Sequence, residues 1–151
     1  MTTIIVTTLT VFVYGVLIEY VLHRWVMHKP YLGRLWYYTE HAVEHHGKGR
    51  NDINVSLSPI TVSLIASPVM LLYFIYGYGV FVVVVALSFL YAGLWTVLHN
   101  SFHDVKYTWV HKCFPFYSTL EKHHILHHKN PNTNFGTIFF FSDYLFGTKH
   151  A

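Results

Sequence analysis

The sequence predicts an all-α integral membrane protein, with about three transmembrane helices and a histidine-rich helical cap on the cytoplasmic side. Three observations carry that expectation. The chain is 53% hydrophobic and only 11% charged, far below the roughly 25% charge of a soluble domain. Its apolar residues gather in runs long enough to cross a bilayer, which takes about 20 residues. Its thirteen histidines all fall outside those runs, most of them in four short boxes. At 151 residues the chain reads as a single domain, residues 1–151.

The first span is residues 4–22, "IIVTTLTVFVYGVLIEYVL". A secretory signal peptide fits poorly here. No Lys or Arg precedes the run, no small-residue cleavage pattern follows it, and Glu19 is out of place in a disposable segment. The stretch Leu57–Leu98 contains no Asp, Glu, Lys, Arg or His. It is too long for one span and suits two, at about 57–76 and 79–98. The break between them is "YGYG" (Tyr76–Gly79), whose glycines permit a tight turn. Ser58-Pro59 resembles a cap followed by proline at the first helical position, and Pro68 is expected to kink that helix. The histidine boxes occupy the remaining segments, 23–56 and 99–148.

Charge placement sets the orientation. Arg24, Lys29, Arg34, Lys48 and Arg50 lie between spans one and two, and Lys106, Lys112, Lys122, Lys129 and Lys149 follow span three. The N-terminal tail and the "YGYG" turn carry none. By the positive-inside rule both histidine-bearing segments face the cytoplasm, in a bacterial inner membrane or the endoplasmic reticulum. Other classes are excluded. A net charge of +3, with the aromatics inside apolar runs, argues against a nucleic-acid partner. The single cysteine, Cys113, rules out an intramolecular disulfide framework and a cysteine-ligated iron–sulfur cluster. A metal here must be held by nitrogen and oxygen.

The boxes are "HRWVMH" (His23, His28), "HAVEHH" (His41, His45, His46), "HNSFH" (His99, His103) and "HILHH" (His124, His127, His128). Helical residues four apart share a face, so His41/His45, His99/His103 and His124/His128 read as same-face ligand pairs. Adjacent residues point about 100° apart. The doublets His45-His46 and His127-His128 therefore suit two neighbouring metals better than one. His23, His28, His99 and His103 sit where spans one and three leave the membrane, and the two doublet boxes can fold over those ends. Imidazole suits iron, zinc, copper and nickel alike. Glu44, Asp104 and Glu121 are candidates to accept from the outer ring nitrogens or to supply a carboxylate ligand, and Glu19, one turn before His23, to accept from an outer nitrogen.

Blander readings explain less. A pH sensor does not need ten histidines at repeated spacings. A bis-histidine haem uses two and leaves eight unexplained. A histidine-rich zinc carrier needs a polar path, and spans two and three offer none through their middles. His111 and His150 read as ordinary polar residues, and His123, off the pattern, as a bystander.

The box order HX4H, HX3HH, HX3H, HX2HH resembles the membrane-bound fatty acid hydroxylase/sterol desaturase superfamily. "NTNFG" (Asn132–Gly136) and "SDYLFGT" (Ser142–Thr148) resemble its closing signature. The resemblance runs from about Glu19 to Thr148. It implies a non-haem di-iron oxygenase in a membrane that uses O2 and two electrons to oxidise a C–H bond of a lipid. The implied ligands are His23, His28, His41, His45, His46, His99, His103, His124, His127 and His128, around two iron ions for which zinc can substitute. A fatty acyl chain, a sterol or a related apolar molecule is the implied substrate, with hydroxylation as the reaction. The chain's length and "LHRWVMH" are closer to bacterial carotenoid hydroxylases, whereas "DYLFGT" is closer to the fatty acid and sterol branches. Carotenoid hydroxylation and lipid desaturation are thus the alternatives within the superfamily, and a metal-binding or transport protein the alternative outside it. No cytochrome b5-type domain and no flavin or nicotinamide fingerprint is present, so a separate cytochrome b5- or ferredoxin-type donor with its reductase is expected, docking on the lysine-bearing face. Self-association of so thin a bundle is also an expectation. Asn134, Gly136, Asp143 and Gly147 match the closing signature and are expected to shape a turn and cap a short helix. "TIFFFSDYLF" (137–146) is expected to lie along the membrane interface.

Overall fold

The computed structural model describes residues 2–30, 36–51, 71 and 74–151. No strand occurs among the described residues. Helix α1 (Thr2–Val21) passes directly into a π-helix, π1 (Leu22–Met27). A single turn, α2 (Trp36–Tyr38), runs into a second π-helix, π2 (Thr39–Gly47). Helix α3 (Tyr78–Phe102) is followed by a 3₁₀ turn (Thr108–Lys112), then α4 (Tyr117–Lys129) and the short α5 (Phe141–Leu145).

Two described stretches are long and apolar enough to cross a membrane, Ile5–Met27 and Tyr78–Phe102. In lipid every backbone polar group has to be satisfied within the segment, which a helix does. Several polar side chains of α3 comply by bonding back to their own helix. Ser88 donates to the Val84 carbonyl (2.8 Å), Thr96 to Ala92 (2.9 Å) and Asn100 to Thr96 (2.9 Å). Ile5, Leu9, Phe89 and Leu90 are more than half exposed, an apolar surface suited to lipid contact.

The expected element bounds shift. The first span, placed at 4–22, continues helically to Met27 because its end rewinds as π1. The third, placed at 79–98, runs from Tyr78 to Phe102, and the chain breaks before it at Gly77 (φ +83°). The expected second span, 57–76, with its Ser58-Pro59 start and Pro68 kink, lies outside the described residues except for 71 and 74–76.

α1 and α3 pack along their lengths, Val11 against Val84. Past the apolar spans the core widens. Leu98 and Phe102 of α3 meet Val110 of the 3₁₀ turn, Tyr117 and Leu120 of α4, and Ile138. This cluster anchors α4 beside the ends of α1 and α3. α4 stops where Asn130 precedes Pro131; Asn130 takes φ −137°, ψ 88°, the extended conformation that proline imposes on its predecessor. The chain then returns as a strap, 133–150, along α1. Ser142 Oγ donates to the Val16 carbonyl (3.2 Å), and the Tyr20 hydroxyl meets Thr148 Oγ1 at 3.0 Å. Phe139 packs edge-on against Phe12, while Phe141, Tyr144 and Leu145 are exposed beside α1.

Candidate metal centre

The four boxes converge at the end of the α1–α3 pair. The imidazole nitrogens of His23, His28, His41, His46 and His127 lie within 4.8 Å of one another, forming a first group. Those of His45, His99, His103 and His124 form a second. His128 joins the second through His124, with Nε2 to Nε2 at 3.1 Å, and also sits with His45 and His46. Both groups draw on π2 and α4; π1 completes the first and α3 the second. His46 and His128 stack at 4.1 Å between the two groups.

The π-helices explain this sorting. A π turn closes i→i+5 rather than i→i+4, so residues four and five apart both lie near one face, on either side of residue i. His23/His28 and His41/His46 are both spaced by five, and both pairs fall in the first group. The expected pair His41/His45 is adjacent, ring centroids 5.3 Å apart, but does not serve one group: His41 falls in the first and His45 in the second. His99/His103, at the end of α3, and His124/His128, on the regular helix α4, do share a group. His127 and His128 fall in different groups, and His45 and His46 part between the second and the first although both also lie beside His128.

Carbonyls orient the outer nitrogens. His23 Nδ1 donates to Phe135 O (2.5 Å), His127 Nδ1 to Thr133 O (2.7 Å) and His45 Nδ1 to Arg50 O (2.9 Å). A carbonyl can only accept, so these three rings carry their proton on Nδ1 and turn an Nε2 lone pair toward the cluster. The four carboxylates expected in that role are elsewhere. Glu19 accepts from the Tyr91 hydroxyl and from the backbone N–H groups of Thr137 (2.5 Å) and Ile138 (3.3 Å). Glu44 pairs with Lys48 at 2.6 Å, and Asp104 and Glu121 lie beside the Tyr117 phenol. Neither group includes a carboxylate among the described residues. Backbone carbonyls have no signature in a sequence, which is why these partners were not legible there.

The arrangement fits a metal on three counts. Buried nitrogens of His41, His45, His46 and His99 have no hydrogen-bond partner, a costly state unless something else binds them. Nε2 atoms meet in pairs at 2.9 Å (His23–His41), 3.0 Å (His28–His127) and 2.8 Å (His103–His124). Metal–nitrogen bonds of about 2.1 Å at right angles put neighbouring ligand nitrogens about 3.0 Å apart. The rings are also held neutral, as ligands must be. Burial, reinforced by neighbouring imidazoles, lowers His28 to about 2, His46 to about 3, His103 to about 4 and His128 to about 2, and holds His41, His124 and His127 well below 6.5.

Three histidines stay outside the groups. His111 is exposed and donates to the Thr108 carbonyl, and the His150 backbone bonds Asn134 Oδ1 at 2.8 Å. His123 is no idle bystander: it is buried and gives Nε2–H to Asp143 Oδ2 at 3.1 Å. Asp143 also accepts from Phe135 N, Gly136 N (2.8 Å each) and Thr148 Oγ1 (2.7 Å). Burial pushes this carboxyl up, but His123 and the other donors outweigh it and hold it below the usual carboxylate range. Asp143 thus ties a turn together from inside α5, and Gly147 closes that helix, its N–H donating to Tyr144 O at 3.3 Å and that of Thr148 to Asp143 O at 2.8 Å. Asn134 (φ +56°) and Gly147 (φ +65°) supply the left-handed turns of the same strap.

A sequence model of the fatty acid hydroxylase family matches residues 8–148. No curated protein and no solved structure matches the chain.

Proposed function

The chain belongs to the fatty acid hydroxylase family, and from that premise we propose that it is an O2-dependent di-iron hydroxylase of an apolar lipid, a fatty acyl chain, sterol or related molecule. The observation that carries the reading is the gathering of nine histidines into adjacent groups of five and four, with His128 joined to the second through His124 and no carboxylate in either among the described residues. His23, His28, His41, His46 and His127 would hold one ion, and His45, His99, His103, His124 and His128 the other. Iron, when bound, would supply the redox-active centre that passes electrons from the donor to O2, the oxidant of the C–H bond.

The chain's own residues do the rest. The carbonyls of Phe135, Thr133 and Arg50 hold three rings in the tautomer that offers Nε2 inward. Burial keeps His23, His41, His45, His99, His124 and His127 out of water. The apolar α1 and α3, joined by a further span at about 57–76, would bring a lipid-dissolved substrate to the cluster. The lysine and arginine distribution orients the cluster toward the cytoplasm, within reach of a separate electron donor of the cytochrome b5 or ferredoxin type. "LHRWVMH" favours carotenoid hydroxylation as the second reading, with desaturation a third outcome of the same chemistry.

The test is direct. Protein purified with iron is assayed for metal per chain, then supplied with 18O2, a reductase system and a panel of lipids. Two irons per chain and an 18O-labelled alcohol are expected. Stoichiometric zinc with no O2 uptake on any lipid would instead favour a metal-binding or transport protein. His127→Ala is expected to lower both metal content and turnover, and full activity in that variant would overturn the ligand assignment.

A further inference from the structure

Four consecutive backbone N–H groups, 135 to 138, are taken up by two carboxylates. Phe135 and Gly136 donate to Asp143, at 2.8 Å each, and Thr137 and Ile138 donate to Glu19. Both carboxylates are buried, and every contact each makes is with a donor. Asp143 also receives His123 Nε2–H and the Thr148 hydroxyl, and Glu19 the Tyr91 hydroxyl. The clamps reach residues 135–138 from different elements, Glu19 of α1 with Tyr91 of α3, and Asp143 of α5 with His123 of α4. Carbonyls in and just before this segment meet two histidines. Phe135 O receives His23 Nδ1–H, and Thr133 O, just upstream, receives His127 Nδ1–H. Both histidines belong to the first group. The corresponding partner in the second group, His45, is held by Arg50 O, which neither carboxylate touches.

We propose that Asp143 and Glu19 are positioning residues for the first histidine group alone: by fixing the strap they set the tautomer and aim of His23 and His127, and so the affinity of that group for its metal. This rests on the dinuclear reading above. It gives a buried glutamate in a membrane-spanning helix, ordinarily a costly placement, a role one step removed from the metal. It also gives His123 a role, since its Nε2–H is one of the four donors that hold the Asp143 carboxylate in place.

Asp143→Asn keeps the shape but turns one acceptor oxygen into an NH2 that faces donors. Two measurements on the full-length protein in detergent read the result. In metal-free protein with 15N-labelled histidine, His23, His127 and His45 should each show the Nδ1–H tautomer. In Asp143→Asn, His23 and His127 should lose it while His45 keeps it. In a titration with Co2+, the wild type should take two equivalents, and Asp143→Asn should bind one unchanged and the other about 10- to 100-fold more weakly, the usual cost of losing an orienting partner. The weakening should persist with the second group disabled by His103→Ala and vanish with the first disabled by His28→Ala. If Asp143→Asn does not fold, Glu19→Gln carries the same tests, with the same group-selective loss expected. Equal weakening of both equivalents, or none in a folded variant, overturns the proposal and leaves the dinuclear reading intact. A wild type that takes fewer than two equivalents overturns that reading and the proposal with it.

Discussion

Gly136 has no room for a methyl group. A Cβ built there would stand 2.5 Å from the Phe139 carbonyl oxygen and 3.0 Å from Phe140 Cα, both backbone atoms. Neither is the far end of a flexible side chain, so the strap would have to move. Gly136→Ala is therefore expected to destabilise by about 1–3 kcal/mol, the range for overpacking, read as a lowered thermal midpoint in detergent. It should also disturb the adjacent His23–Phe135 contact, so a loss of metal affinity should accompany it; an unchanged midpoint would contradict the close approach. At this scale the sequence marked Asn134, Gly136, Asp143 and Gly147 as turn-shaping, and of these Asn134 and Gly147 take left-handed φ. It did not reveal that Asp143 and His123 pair, because a contact across 20 residues leaves no local trace. Tyr91 was missed for the same reason, although Glu19 inside an apolar helix already signalled that some partner had to exist.

The π-helices matter most at the level of elements. Along π2 the ring assignments alternate against the α-helical expectation, His41 and His46 to one group and His45 to the other. His41→Ala is thus expected to remove the first-group metal and leave the second, and His45→Ala to do the reverse. Metal counting on the single variants, together with His41→Ala combined with His28→Ala, checks this. The double variant should lose no more metal than either of its singles, whereas His41→Ala with His45→Ala should lose both ions. Equal losses from His41→Ala and His45→Ala in the same site would restore the α-helical pairing. The spacing of the boxes was legible in the sequence. The conformation that converts spacing into direction was not, because a single π turn differs from an α turn by one residue and carries no composition of its own.

For the whole molecule, the histidines make stability depend on pH even without metal. The folded chain holds His28, His46, His103 and His128 neutral down to about 4 or below, whereas an unfolded imidazole binds a proton near 6.5. The unfolded state therefore takes up protons first as pH falls, and stability declines from about pH 6.5 downward. The sign is fixed: full stability above that range, progressive loss below it, and no contribution from these groups at alkaline pH. Thermal midpoints of metal-free protein between pH 8 and pH 5 are expected to fall steeply below 6.5. Loaded protein should hold to a lower pH, because protons must then displace a bound metal. A flat profile for the metal-free chain would show that the histidines are not buried as neutral rings.

The sequence by itself determined that this chain is helical and apolar, where its two described membrane-length helices run, and which ten histidines gather at one end of them. Hydrophobic runs and box spacings are local properties, and local properties survive in a one-dimensional record. Only the tertiary structure decided how the ten divide, because the division depends on π turns and on helices meeting from distant parts of the chain. It also moved Glu19, Glu44, Asp104 and Glu121 away from the histidines and put the carbonyls of Phe135, Thr133 and Arg50 in their place. A side chain announces its chemistry in the sequence; a backbone carbonyl, identical at every position, acquires a role only from where the fold delivers it.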